Sequence, residues 1–193
     1  NISYFVTSLW YLILVNKNKS RIFAMKEMSK AKVLLKKSVK SVANERKFLE
    51  MFKYNLLCNM YYAFQDSETL YIVMDYLSGG DLRYHICRRD SFTEKETKFI
   101  AACITLSLNY IHEKNVIHRD LKPENLVFGA DGYLHLTDFG IAMEYHNNGP
   151  GVVSASGTPG YMAPEAIINK PHNFSVDDLA LGVIVYELMM GER

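Results

Sequence analysis

Four short runs hold the residues able to do chemistry. His118-Arg119-Asp120-Leu121-Lys122-Pro123-Glu124-Asn125 puts a carboxylate, an ammonium and a carboxamide in one segment. Asp138-Phe139-Gly140 and Ala163-Pro164-Glu165 follow it, and Ala24-Met25-Lys26 lies upstream. Carboxylates and lysines at close spacing suit proton transfer and the neutralisation of charge that builds on oxygen. Zinc chemistry is not indicated, because His112 and His118 lack a partnering Cys or His at zinc-ligand spacing. The triplet His-Arg-Asp alone would arise by chance in roughly one chain of this length in forty. The whole ordered set would not.

The elements that must position these runs are read from apolar spacing and turn residues. Residues 9–28 read as a strand pair, LWYLILV and RIFAMKEM, around the turn NKNKS. Basic residues crowd the stretch from Lys30 to Lys40. Within 39–52, Val39, Val42, Ala43, Leu49 and Phe52 fall near helical spacing, with Glu45 among them. Two short strands are expected near 59–65 and 69–75. Ser78-Gly79-Gly80 reads as a hinge between a strand-rich first part and a helical second part. A helix over 94–113 opens with a Thr93/Glu96 capping box and takes its apolar face from Phe99, Ile100, Cys103, Ile104, Leu108 and Ile111. NLVF and YLHLT pair around Asp131-Gly132. Residues 141–162 form a long glycine- and proline-bearing loop, of the kind that usually carries function. Residues 175–190 are apolar on nearly every face, which predicts a buried central helix.

The chain has 193 residues, 49% of them hydrophobic, and a net charge of +1. That supports one globular unit with a real core and gives no electrostatic reason to expect nucleic acid. Residues 2–15 carry no charge, but the run is too short for a membrane span and lacks the marks of a secretory signal. Its β-branched and aromatic residues read as one or two strands of a sheet. Cys58, Cys87 and Cys103 follow no disulfide or metal spacing and are expected as free thiols of an intracellular, cytoplasmic protein.

The ordered motifs resemble those of eukaryotic serine/threonine protein kinases. LYIVMDYLSGGDL, GYLHLTDFGIA and SGTPGYMAPE are similar to segments of the AGC group, and Lys122 two residues after Asp120 is of the serine/threonine type. The resemblance covers about residues 20–193. It implies an α+β, two-lobed fold, with a β-rich N-lobe over 1–76 carrying one main helix, and a partial helical C-lobe over 77–193. It implies ATP and Mg2+ as cofactors, and a protein substrate with Ser or Thr, near Arg or Lys. By this resemblance Lys26 holds the nucleotide phosphates and pairs with Glu45. Asp120 orients the acceptor hydroxyl, Lys122 offsets charge near the γ-phosphate, and Asn125 and Asp138 hold magnesium. Met74 is the gatekeeper. Asp75 and Leu77 lie in the hinge that meets adenine, and Ala24 and Val127 sandwich the purine. Asp81, Glu124 and Glu187 match positions that favour basic substrates. Arg119 expects an anionic partner, a phosphorylated Ser154 placed by an activating kinase, with Ser156 next in register. Thr158 is expected to hydrogen-bond Asp120, Asp177 to hold the catalytic loop, and Glu165 to pair with an arginine further downstream. His118 and Phe139 are expected as packing residues.

The sequence departs from that pattern in two places. No glycine precedes Gly79, and SYFVTSLWYL stands where the family's phosphate-covering glycine loop is expected. Bulky strand formers bring backbone amides less close to phosphates than glycine does. A second reading therefore follows, a pseudokinase-like nucleotide- or protein-binding module without turnover, and a third, an inactive fragment. Asp178 stands where the family carries an aromatic residue. Both ends read as cut, so the chain is expected to be a piece of a kinase domain, leaving oligomeric state open.

Overall fold

The computed structural model describes residues 2–7, 11–16, 21–146 and 151–191. The first half is a sheet. Strands β1 (Ile2–Thr7), β2 (Tyr11–Asn16), β3 (Arg21–Ser29), β4 (Met60–Gln65) and β5 (Thr69–Asp75) form an antiparallel sheet in the order β1-β2-β3-β5-β4. The expected strand pair is β2 and β3, with Tyr11 opposite Lys26. β1 is a second strand within the uncharged run, paired to β2 from Ile2↔Asn16 to Thr7↔Tyr11. Residues 8–10 and 17–20, the latter within the expected turn NKNKS, lie outside the described residues, as does the centre of the region where a glycine loop is expected. At the other edge, β4 is irregular between Met60 and Tyr62 and leaves Tyr62 and Phe64 exposed. Consecutive burial of Ile72, Val73 and Met74 marks β5 as covered on both faces.

Two helices interrupt the sheet, α1 (Lys30–Leu35) and α2 (Val39–Met51). Sequence spacing predicts α2 but not α1. α1 buries none of its residues, so it has no apolar period to read. Ser29 caps it through the amide of Lys32.

Beyond β5 the chain is mostly helical: α3 (Leu82–Ile86), α4 (Glu94–Glu113), α5 (Pro164–Ile167) and α6 (Ser175–Met190), with short pairs β6 (Val116–Ile117) with β9 (Met143–Glu144) and β7 (Leu126–Phe128) with β8 (Leu134–Leu136). α4 starts where its capping box predicts: Thr93 Oγ1 accepts from the Glu96 amide, and Glu96 Oε2 accepts from the Thr93 amide at 2.9 Å. The Thr93 hydroxyl and amide, with Arg89, hold the Glu96 carboxyl down at about 2. One expected core residue is not in the core. Phe99 is 42% exposed and packs its ring against Tyr133 at 5.6 Å, while Thr97 and Ser107 take buried positions on α4. A 20-residue helix buries a single stripe, and Phe99 lies just outside it.

Gly79 is a tether as well as a hinge. Its amide donates to Phe128 O at 2.8 Å, and Phe128 returns a bond to Gly80 O at 2.9 Å. A β-carbon at Gly79 would stand 2.6 Å from that of Phe128, so only glycine permits the approach. α6 is the second departure from expectation. Val176, Asp177, Ala180, Ile184, Glu187 and Leu188 are buried, but Leu179, Tyr186, Met189 and Met190 face outward. Among the described residues the helix is therefore packed on one side only. No helix there is long and apolar enough to cross a membrane.

Candidate active site

The cleft between sheet and helices collects the chemistry. Lys26 sits mid-strand on β3, opposite Ile72 of β5, and its ammonium donates to both oxygens of Glu45 at 2.6 and 2.8 Å. Glu45 is only 7% exposed, on the α2 face that also buries Phe48 and Leu49. Burial pushes its carboxyl above 4.5, and Lys26 pulls it back only in part. α2 is held at this depth by the segment after Asp138: Ser41 Oγ donates to Gly140 O at 3.0 Å and Asn44 Nδ2 to Ala142 O at 2.5 Å. Residue pattern gives no sign of these two ties, since they join positions nearly a hundred residues apart.

Phe139 anchors the same region from below. Its buried ring meets Phe52 edge-on at 5.1 Å and His118 at 5.3 Å. His118 is more than packing. Its Nε2 lies 3.1 Å from Thr137 O, and its Nδ1 accepts the Asp120 amide at 3.3 Å. The expected role of Asp177 appears in full geometry. Its carboxylate is 1% exposed and accepts the amides of His118 and Arg119, each at 2.8 Å, with His112 Nε2 also at 2.8 Å. That grip holds Arg119 at φ 69°, a conformation a non-glycine residue adopts only when its surroundings impose it.

Asp120 is the hub beyond this anchor. Oδ1 accepts the Thr158 hydroxyl at 2.6 Å, and Oδ2 lies 2.8 Å from Lys122 Nζ. Lys122 also donates to Thr158 Oγ1 at 2.8 Å. Asn125 Nδ2 donates to Asp120 O and Oδ2 at 2.9 and 3.1 Å, which leaves its carbonyl oxygen for another partner. Asp138, at φ 59°, is exposed; among the described residues its Oδ1 accepts only the Gly140 amide, at 3.1 Å. Asn125 and Asp138 thus each keep oxygen donors available for a hard cation.

The residues expected around a purine are arranged along β3, β5 and β7. Ala24 pairs with Met74 across β3 and β5, and both are buried. Val127 lies on β7, bridged to Asp81. Asp75 turns its carboxylate away, to Tyr61 Oη at 2.6 Å and the Asn59 amide at 3.0 Å, and its own amide donates to Asn59 O. The main-chain N–H and C=O of Leu77 make no hydrogen bond among the described residues.

The three acids expected to face a substrate are not equivalent. Asp81 caps α3, accepting the Tyr84 amide at 2.7 Å. Glu124 and Glu187 converge on Arg83, a residue the motifs do not single out. Arg83 is partly buried, which works against its charge, yet the bonds to Glu187 and Glu124 raise its pKa overall. Arg119 does not reach Ser154. Its Nε and Nη2 donate to Ile141 O at 2.7 and 2.5 Å, and its Nη1 is buried without a partner among the described residues. Ser154 Oγ lies 2.9 Å from Ser156 Oγ. Glu165 makes no side-chain ion pair among the described residues. Asp178 is exposed in the first turn of α6, where an acid suits the helix dipole, so its departure from the aromatic pattern falls on a surface.

Comparison with known proteins bears on this geometry. The family model of the protein kinase domain matches residues 11–193. The chain is 44% identical over 177 residues to the serine/threonine-protein kinase sgk-1 of Caenorhabditis elegans, over 91% of this chain and 38% of that protein. It is 41% identical over 175 residues to a cGMP-dependent protein kinase 2 of Rattus norvegicus, over 91% of this chain and 23% of that protein. It is 39% identical over 177 residues to a cAMP-dependent protein kinase catalytic subunit of Arthrobotrys oligospora, over 91% of this chain and 33% of that protein. The chain thus spans between 23% and 38% of the length of these relatives.

Proposed function

The chain belongs to the protein kinase domain family, and from that premise we propose that it transfers the γ-phosphate of ATP to Ser or Thr hydroxyls of protein substrates. One observation carries the reading: Asp120 already accepts a hydroxyl, that of Thr158, at 2.6 Å, with Lys122 beside both. A substrate hydroxyl arriving there meets an acceptor for its proton and a cation for the charge that develops on phosphate. Transfer of this kind depends on positioning and electrostatics more than on covalent help.

Lys26, oriented by Glu45, holds the α- and β-phosphates. The family implies ATP binding and typically Mg2+, and the donor set fits: the nitrogen of the Asn125 amide is spent on Asp120, which leaves its oxygen, and Asp138 is an exposed carboxylate. When bound, the ion neutralises charge on the phosphate oxygens. The purine lies between Ala24 and Val127, behind it Met74, and its edge meets the backbone of Asp75 and Leu77. The free N–H and C=O of Leu77 support that placement. The lack of glycine before Gly79 shifts the hold on phosphate toward Lys26 and weakens ATP affinity.

The substrate carries basic residues near its acceptor, drawn by the acids Asp81, Glu124 and Glu187. An activating kinase acts on Ser154. The support is the unpartnered buried Nη1 of Arg119, which a phosphate oxygen would satisfy. We place the N-lobe at 1–76 and the C-lobe from 77, and the protein in the cytoplasm. The test is phosphotransfer from Mg-ATP by the full-length protein, with Asp138→Ala beside it. Loss of roughly a hundredfold or more is expected in the variant; equal rates would remove the reading. The binding-module alternative rests on the lack of glycine before Gly79, and the assembled set of Lys26, Glu45, Asp120, Asn125 and Asp138 weighs against it.

A further inference from the structure

The acidic pocket beside the acceptor groove already contains an arginine from the same chain. Glu124 follows Asp120 by one turn of chain, and Glu187 rises from α6 beneath it. Arg83, from α3, reaches between them. Its Nε donates to Glu124 Oε1 at 3.0 Å, and its Nη1 and Nη2 donate to Glu187 Oε1 and Oε2 at 2.6 and 3.4 Å. Its Nη2 also donates to Tyr161 Oη, whose hydroxyl in turn donates to Glu187 Oε2 at 2.6 Å. Glu187 is 6% exposed and Glu124 is exposed, so the guanidinium runs from a buried carboxylate to one at the surface. A fork of guanidinium donors on two carboxylates is the geometry by which any arginine would be bound here.

We infer that Arg83 is a specificity-determining residue, an internal arginine that occupies the Glu124–Glu187 pocket in place of a substrate arginine. The inference rests on the kinase reading. It narrows the basic-substrate expectation: Asp81 remains outside the Arg83 network, while Glu124 and Glu187 are already engaged. A substrate arginine aimed at this pocket must displace a bound guanidinium, and gains little by doing so. A merely structural Arg83, tying α3 to α6, would lower stability when replaced without changing which peptides bind.

The experiment reads peptide binding by fluorescence anisotropy, without turnover, using the full-length protein. Labelled serine peptides carry arginine or alanine at each position before the acceptor in turn. In Arg83→Met, which keeps the aliphatic stem, the arginine-over-alanine affinity ratio at one position should rise about tenfold over the native protein, one ion pair's worth. In the double variant Arg83→Met with Glu187→Gln that gain should vanish. Glu124 is exposed, so Glu124→Gln folds whatever happens to Arg83→Met. In the otherwise native protein it should leave every arginine ratio within about twofold. An unchanged ratio in a folded Arg83→Met, or a tenfold fall in Glu124→Gln, overturns the inference. Phosphotransfer to an arginine-free serine peptide is measured alongside. If it fails in the native protein, the kinase reading falls while the binding ratios still report on Arg83.

Discussion

Replacing Asp177 by asparagine should cost more than its near-identical shape implies. The carboxylate is 1% exposed and accepts three donors at 2.8 Å: the amides of His118 and Arg119 and His112 Nε2. Asparagine retains one oxygen and turns an NH2 group toward the remaining donors. A hydrogen bond to a buried charged acceptor is worth about 1.5–3 kcal/mol, so two of them give about 3–6 kcal/mol. Against a total stability of about 5–15 kcal/mol, that is a large fraction. For a domain of this size each kcal/mol moves the melting temperature by about 2–4 °C, so a fall of roughly 6–24 °C is expected. Activity should fall further than stability, because His118, whose amide shares Oδ2 with His112 Nε2, lies two residues before Asp120 in the catalytic loop. Differential scanning calorimetry and phosphotransfer at a temperature where the variant stays folded measure both. Asp178→Asn, at the exposed neighbour, serves as the control and should stay within about 0.5 kcal/mol. A melting temperature and rate equal to the native protein in Asp177→Asn would refute the idea that this carboxylate holds the catalytic loop.

Three other outcomes follow from packing and charge. Burial raises the Glu45 carboxyl above 4.5, so the folded state keeps a proton that the unfolded chain releases. Its contribution to stability is then full below the unfolded value and is lost as pH rises through the folded one. Relative to Glu45→Gln, the native protein should lose stability as pH rises above the ordinary glutamate range in denaturant titrations; a pH-independent difference would count against this. Burial, helped by Asp75, pushes the Cys58 thiol up to about 12, and Cys103 is also buried, while Cys87 is exposed. A thiol reagent at about pH 8 should therefore label Cys87 alone in the folded protein, and a second fast-reacting thiol would contradict the packing. Gly79→Ala should cost about 1–3 kcal/mol in a urea midpoint, because its β-carbon would meet that of Phe128 at 2.6 Å; no loss would mean the tether to β7 yields freely.

Features set by near neighbours in the chain are legible in the residue order. The capping box of α4 needs only Thr93 and Glu96, and the strands β2, β3 and β5 need only their own apolar and turn residues. The pairing of Lys26 with Glu45 is readable through the motifs around each residue, and their charged groups stand 2.6 Å apart in the fold. Residue pattern does not reveal α1, which buries nothing, nor the outward turn of Phe99, since a stripe's edge depends on what packs against it. α6 reads as apolar all round, yet which of its sides is covered is a matter of neighbouring elements.

The amino-acid order by itself determined the catalytic inventory and the local elements that carry it, because hydrogen bonds and apolar periods over a few residues are written in adjacent side chains. Tertiary structure alone decided what fills the acidic pocket. Arg83 meets Tyr161 and Glu187 from 78 and 104 positions away. Nothing local to Arg83 marks such a meeting. Charge attracts over any separation in sequence, and only the packing of α3 against the catalytic turn and α6 brings these groups within reach.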